Sequence, residues 1–148
     1  MKNVKLLISF LLVALIISSG CETNGKKSYD TGVQFFQEKK YKESIPEFQK
    51  AIDINPDFGE AFMYMGRAYN LLQQYDLSID AYQKALGIFK QEKFNSNVDN
   101  LPDNRKIAQV EEVWLPYSQI QLKIQKGISL TDIEIQKQAE IIKRLDPK

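Results

Sequence analysis

Histidine is absent from the 148 residues, and cysteine occurs once, at Cys21. Without histidine the chain lacks the side chain that most often acts as a general base near neutral pH, and also the commonest protein ligand of metals. One cysteine can form neither an internal disulfide bond nor a thiolate cluster for a metal. Neighbouring carboxylates such as Glu111 and Glu112 point to different sides of a helix and cannot share a site. We therefore expect no catalytic residues, no metal site and no cofactor.

A large excess of one charge is also missing, because 20 lysine and arginine residues face 19 aspartate and glutamate residues, for a net charge of +1. Removal of an N-terminal segment carrying Lys2 and Lys5 would leave 18 basic residues against 19 acidic ones. This balance provides no basic field that would hold nucleic acid or an anionic lipid surface. We do not expect nucleic-acid binding, and the length suits a single domain.

The longest apolar run extends from Leu6 to Ile17 and is interrupted only by Ser9. It is too short for the roughly 20 residues that a membrane-spanning helix needs. Lys2 and Lys5 precede this run, and the small residues 18–20 follow it. A positive leader, a short apolar core and small residues are typical of a secretory signal peptide, which we predict over residues 1–20.

Residues 17–21 (ISSGC) resemble the lipobox of bacterial lipoproteins, in which a peptidase cuts before a cysteine that carries diacylglycerol. Gly20 and Cys21 match that motif, whereas Ser18 occupies a position that is usually aliphatic. The resemblance implies lipid attachment at Cys21; the alternative is an ordinary cleaved signal with a cysteine beside the cut. Residues 22–27 are polar and include a glycine, which predicts a flexible tether over residues 21–27. Glu22 replaces the aspartate that retains some lipoproteins in the inner membrane, which favours the outer membrane.

A shift of 34 residues aligns the sequence with itself. The identical pairs are Gly25/Gly59, Gly32/Gly66, Tyr41/Tyr75, Ser44/Ser78, Ile45/Ile79, Gln49/Gln83, Lys50/Lys84, Ala51/Ala85 and Ile54/Ile88. This period and the matched residues resemble those of the tetratricopeptide repeat. The resemblance implies glycines where two helices pack closely (Gly32, Gly66) and aromatic residues that fill the repeat (Phe35, Tyr69, Phe48, Tyr82).

Apolar residues at helical spacing predict helices throughout both units, independently of the family. We place two repeats at 28–92 and a loop, rich in Asn and Asp, at 93–105. A degenerate, repeat-like capping hairpin follows at 106–148. The fold is expected to be all-α, a right-handed α–α superhelix with two well-formed repeats and this hairpin.

Within the C-terminal hairpin, Pro116 is expected to interrupt or kink the first helix. Thr131 and Glu134 have the spacing of a capping box at the start of the last helix. The apolar stripe that this helix is expected to carry consists of Ile135, Ala139, Ile142 and Leu145.

In tetratricopeptide arrays the first helix of each pair lines a concave groove, and the resemblance implies a groove for a peptide here. An extended peptide with apolar side chains would suit it, with Arg67 or Asn70 pairing to the backbone or to a carboxylate. Two alternatives remain open: the groove is free, or the C-terminal hairpin folds across and fills it. The residues expected to line the groove are Tyr29, Val33, Phe36, Met63, Arg67 and Asn70.

These features predict a membrane-anchored adaptor or assembly factor that binds a protein or peptide segment in the bacterial cell envelope. The alternative is a carrier of small apolar ligands, which would use a pocket between the groove and the C-terminal helices. That alternative requires a closed apolar cavity near Phe36, Met63 and Trp114.

Overall fold

The computed structural model describes residues 25–95 and 104–145, and all regular structure within these residues is helical. The predicted signal peptide, Cys21 and the first part of the tether lie outside the described residues, as do residues 96–103 of the predicted loop. The helices are α1 (Lys26–Gln37), α2 (Tyr41–Ile54), α3 (Gly59–Leu71), α4 (Tyr75–Asn95), α5 (Asn104–Ala108), a π-helical turn (Gln109–Trp114), α6 (Leu115–Gln125) and α7 (Asp132–Leu145).

Three predicted boundaries differ from the structure. The tether was expected to reach residue 27, whereas α1 begins at Lys26. The loop was expected at 93–105, whereas α4 continues to Asn95 and α5 begins at Asn104. The predicted all-α superhelix of tetratricopeptide hairpins is confirmed.

Helices α1 and α2 form one hairpin, and α3 and α4 form the next. Each hairpin turns at a residue in the left-handed backbone region, Lys39 with φ 60° and Gln73 with φ 59°. The following amide, of Lys40 or Gln74, donates to a carbonyl of the last helical turn at 2.9 Å. This pairing satisfies carbonyls that the helix end would otherwise leave without a donor. Lys39 and Gln73 are 34 residues apart, so the turn repeats with the period of the sequence.

The two glycines of the repeat lie directly against aromatic rings. A Cβ atom on Gly32 would lie 2.7 Å from the Phe48 ring, and one on Gly66 would lie 2.8 Å from the Tyr82 ring. Phe48 and Tyr82 are fully buried. Because no side chain fits at either crossing, the helices of each hairpin approach closely, as the resemblance implied. The buried core shared by the two repeats and the C-terminal helices consists of Phe48, Ala51, Ile52, Ala61, Phe62, Met63, Met65, Ala81, Tyr82, Ala85, Phe89 and Val110.

The chain passes from α5 through the π-helical turn into α6 with helical backbone angles on both sides of the turn. Pro116 lies just after this turn and lacks the N–H that an α-helix would use. Its ring also crowds the carbonyl four residues earlier, that of Glu112. The wider π turn accommodates both effects, so the chain bulges before Pro116 and stays helical through it.

Helix α6 ends at a left-handed glycine, Gly127 with φ 68°, and α7 begins with the predicted capping box. The Thr131 amide donates to Glu134 Oε2 at 3.0 Å, and the Glu134 amide donates to Thr131 Oγ1 at 3.3 Å. This capping box is confirmed. In the described part of the chain, no helix combines the length and apolarity needed to cross a membrane.

The apolar stripe predicted on α7 lies on the outer side of that helix. The side chain that packs inward is Ile141, which is 2% exposed. Ile135 and Ile142 of the stripe are 51% and 48% exposed, and Ala139 between them is exposed as well. Helical spacing identified the residues that share one face of α7. It did not show which face of α7 packs against the other helices.

Candidate functional site

The predicted groove residues on α1 are half-buried. Tyr29, Val33 and Phe36 occupy successive turns of the helix and pack against the edge of the core. The three residues on α3 differ in accessibility, because Met63 and Asn70 are buried whereas Arg67 is half-buried. Met63 belongs to the core and is not available to a ligand. The accessible part of the predicted groove therefore extends along α1 to Arg67.

Tyr29 lies within a group of aromatic rings that joins the two repeats. Its ring centroid is 4.8 Å from that of Phe58 and 5.8 Å from that of Tyr64, which meets it edge-on at 81°. Burial and the neighbouring Tyr64 raise the pKa of the Tyr29 hydroxyl well above its usual range. Tyr29 therefore stays neutral at physiological pH and keeps a proton that it can donate in a hydrogen bond.

Arg67 lies against three aromatic rings. Its guanidinium carbon is 5.0 Å from the ring centroid of Phe36, 5.3 Å from that of Tyr64 and 5.2 Å from that of Trp114. Such contacts stabilise a cation through the negative face of each ring. Across residues 25–95 and 104–145, no carboxylate lies within 4.0 Å of this guanidinium. The rings hold the side chain in place, while its N–H groups remain available to an anion.

The end of the groove beyond Arg67 is closed by α6. The side-chain amide of Asn70 donates to Ser118 Oγ at 2.6 Å, and Ser118 donates to the Trp114 carbonyl at 3.0 Å. Ser78 on α4 lies 3.0 Å from the same hydroxyl and completes this buried network. The sequence left open whether the groove is free or filled by the C-terminal hairpin. At Asn70 the hairpin fills it. Asn70 binds the C-terminal hairpin and is not free to bind a peptide.

Within the described residues, two buried polar atoms next to this network have no partner in hydrogen-bonding geometry: the Tyr82 hydroxyl and Trp114 Nε1. Burial raises the pKa of Tyr82 far above its usual range, so the hydroxyl remains protonated. The Trp114 indole belongs to the ring group around Arg67. Both unpartnered atoms are buried and not accessible to a ligand.

Two surface clefts lie away from the groove. One, of about 370 Å³, separates the π-helical turn from α7 and is lined largely by charged side chains, with Arg144 and Glu112 paired at 3.2 Å. The other lies along the outer side of α1. Neither contains Phe36, Met63 or Trp114, around which a carrier of apolar ligands would need its cavity. In the described ranges no three potential metal ligands lie together.

Two contributors to this site were not predicted. Tyr64 supplies one of the rings at Arg67, and it lies one helical turn before that arginine on α3. This spacing could have identified it, since residues three apart share a helix surface. Ser118 closes the groove from 48 residues away in the sequence, and no local pattern marks that contact.

The tetratricopeptide repeat family model matches residues 35–58 and 60–92, which correspond to most of the two hairpins. Such repeats generally bind other proteins. An uncharacterized protein of Guillardia theta, ycf37, is 34% identical over 70 residues, which span 44% of this chain and 39% of that protein. The chain thus spans about two-fifths of the length of this curated relative. No solved structure matches.

Proposed function

We propose that this protein is a lipid-anchored adaptor of the bacterial cell envelope, which binds a segment of another envelope protein on the surface between α1 and Arg67. The observation that carries the proposal is the Arg67 guanidinium, held against three aromatic rings without a carboxylate partner in the described residues. The repeats support a protein partner, since such repeats generally bind proteins.

The ligand that suits this surface is an extended peptide with apolar side chains and one carboxylate. Its apolar side chains would contact Tyr29, Val33 and Phe36, which present half-buried apolar area along one side of α1. Its carboxylate would accept charge-assisted hydrogen bonds from Arg67. Because α6 closes the groove at Asn70, the ligand ends or turns near Arg67, and the bound segment is short.

The lipid anchor compensates for so small a binding surface. The resemblance of residues 17–21 to a lipobox supports lipid attachment at Cys21. Several acyl chains on one residue hold a protein at a bilayer almost permanently. Confinement to one membrane raises the effective concentration of the adaptor near its partner, so a weak contact suffices. We propose the outer membrane, on the basis of Glu22.

In-cell cross-linking tests the binding site. Arg67→Glu reverses the charge within the ring group, and we expect the yield of the cross-linked partner to fall at least about tenfold, as for a broken charge-assisted contact. The matched control is Lys84→Glu, because Lys84 also lies over a ring, that of Phe62 at 5.6 Å, but on α4. This control should retain the partner.

Tyr29→Ala supplies a second test of the same surface, with Tyr29→Phe as the variant that keeps the ring. If Arg67→Glu and Tyr29→Ala both retain every partner, the assignment of the binding site is wrong. The anchor is tested separately by metabolic labelling with a radioactive fatty acid. The natural chain should incorporate the label and Cys21→Ser should not, and equal labelling of the two would contradict lipid attachment at Cys21.

A further inference from the structure

Helix α7 carries an apolar row that the rest of the described chain leaves uncovered. Ile135, Ala139 and Ile142 follow one another at helical spacing, and the two isoleucines are 51% and 48% exposed. Ile141 already supplies the buried contact of this helix with the protein. A row of large apolar side chains on the outside of an amphipathic helix is typical of a surface that another helix covers.

Two charges follow one edge of this row. Asp132 lies at the start of α7 and Lys143 near its end, and eleven residues of α-helix place them within about 20° of each other around the axis. Neither belongs to an ion pair within residues 25–95 and 104–145, whereas Glu134 and Arg144 of the same helix are paired. The row therefore has an unpaired negative charge at one end and an unpaired positive charge at the other.

We propose that α7 packs antiparallel against α7 of a second copy of this chain. A two-fold axis near residues 138 and 139 would place Ile135 against the partner's Ile142. It would also place Asp132 within about 3 Å, along the helix axis, of the level of the partner's Lys143, and symmetry repeats each contact. Ala139 lies close to the axis, where a small side chain lets the two helices approach. Parallel packing would instead place like charges opposite each other at both ends.

The self-complementary pattern is the reason for choosing a second copy as the occupant. An isologous interface requires each residue to find its complement on the same surface. Asp132 and Lys143 satisfy this requirement to within about 3 Å, since they lie about 10 Å and about 7 Å along the helix from the proposed axis at about 1.5 Å per residue. The contact is a single helix pair, smaller than the roughly 800 Å² per partner of a standard interface, so the dimer is expected to be weak. This proposal is independent of the peptide site at Arg67.

Disulfide trapping tests the geometry in the full chain carrying Cys21→Ser, which has no other thiol. Ala139→Cys places a thiol next to the proposed axis, and mild oxidation should convert most of the protein into a covalent dimer. The matched control is Lys137→Cys, which is also exposed but points to a different side of α7. It should form at least about fivefold less dimer. Equal yields from the two variants would overturn the proposal.

A charge exchange tests the orientation. In the Ala139→Cys chain, Lys143→Asp should reduce the initial rate of dimer formation about fivefold, because two like-charge contacts replace two ion pairs. Adding Asp132→Lys should restore the rate. Helicity at 222 nm is measured for each variant, because both natural charges also favour the helix dipole. No restoration at unchanged helicity would overturn the antiparallel arrangement.

Sedimentation equilibrium provides a measurement that needs no introduced cysteine. The Cys21→Ser chain should show a concentration-dependent dimer, and Ile142→Lys should be monomeric at the same concentrations. If Ala139→Cys does not fold, this comparison decides the question. A chain that is monomeric at about 100 µM, before and after Ile142→Lys, would exclude self-association through α7.

Discussion

Substitution of the repeat glycines by alanine tests the close helix crossing that defines each hairpin. A Cβ on Gly66 would lie 2.8 Å from Cδ1 and Cε1 of Tyr82, whose ring is fully buried and cannot move freely. Forcing extra volume into a packed core typically costs about 1–3 kcal/mol. Alanine also improves helix propensity by about 1 kcal/mol. Gly66→Ala should therefore change the free energy of unfolding by between about 0 and −2 kcal/mol.

Gly87 provides the matched control within the same fold. It also lies inside a helix, α4, but a Cβ there would meet nothing within 4 Å. Gly87→Ala should raise the free energy of unfolding by about 0.5–1 kcal/mol through helix propensity alone. The difference between the two substitutions removes the propensity contribution. It isolates the cost of the contact with Tyr82, which we expect to be about 1–3 kcal/mol.

Urea denaturation followed by circular dichroism at 222 nm measures both values, and an unchanged m-value shows that the unfolding transition is comparable. A double-mutant cycle with Tyr82→Ala then tests the cause, because the penalty of Gly66→Ala should largely disappear once the ring is removed. If Gly66→Ala and Gly87→Ala stabilise the protein equally, the close crossing is refuted.

Three further predictions concern the turns, the closed groove and the last helix. Lys39→Gly and Gln73→Gly should each raise the free energy of unfolding by about 0.5–1 kcal/mol, since glycine adopts positive φ without strain; a loss of stability in urea titrations would contradict this. Ser118→Ala should lower the free energy of unfolding by about 1–3 kcal/mol, because the buried Asn70 amide loses its acceptor. An unchanged urea midpoint would contradict this prediction. Hydrogen bonds, first from a lysine and then from a backbone amide, lower the pKa of Glu134 to about 2. This depressed pKa stabilises the fold above about pH 4.5, and the contribution is lost as pH falls from there towards 2. NMR titration of the Glu134 carboxylate should show this lowered pKa. A titration midpoint near 4.5 would contradict the prediction.

The hairpins could be predicted from sequence because their determinants are local and occur twice. Gly32 and Gly66 share a register with Phe48 and Tyr82, and the 34-residue period connects the two pairs. Once one crossing is interpreted as a close approach, the second follows from the same spacing. The left-handed backbone conformation of Lys39 could not be predicted in this way. In the sequence, a lysine at such a position cannot be distinguished from any other polar loop residue.

The groove could be predicted only in part, because its accessibility depends on contacts between distant segments. Arg67 was predicted to face the groove, and the rings that surround it come from three separate elements. Whether Asn70 is accessible to a ligand depends on its hydrogen bond to Ser118. No pattern in the sequence connects these two residues. The outward position of the apolar row on α7 could not be predicted for the same reason. The spacing of apolar residues shows which of them share a face, but it does not show on which side the neighbouring helix lies.

The position of Trp114 gives this protein a built-in optical reporter. It is the only tryptophan of the chain, and its ring lies 5.2 Å from the Arg67 guanidinium carbon. Any ligand that draws the guanidinium towards a carboxylate alters the electric field at the indole and therefore its emission. Candidate peptides can then be screened against the unlabelled protein by fluorescence titration. The same signal would follow the release of the C-terminal hairpin from the repeats during unfolding.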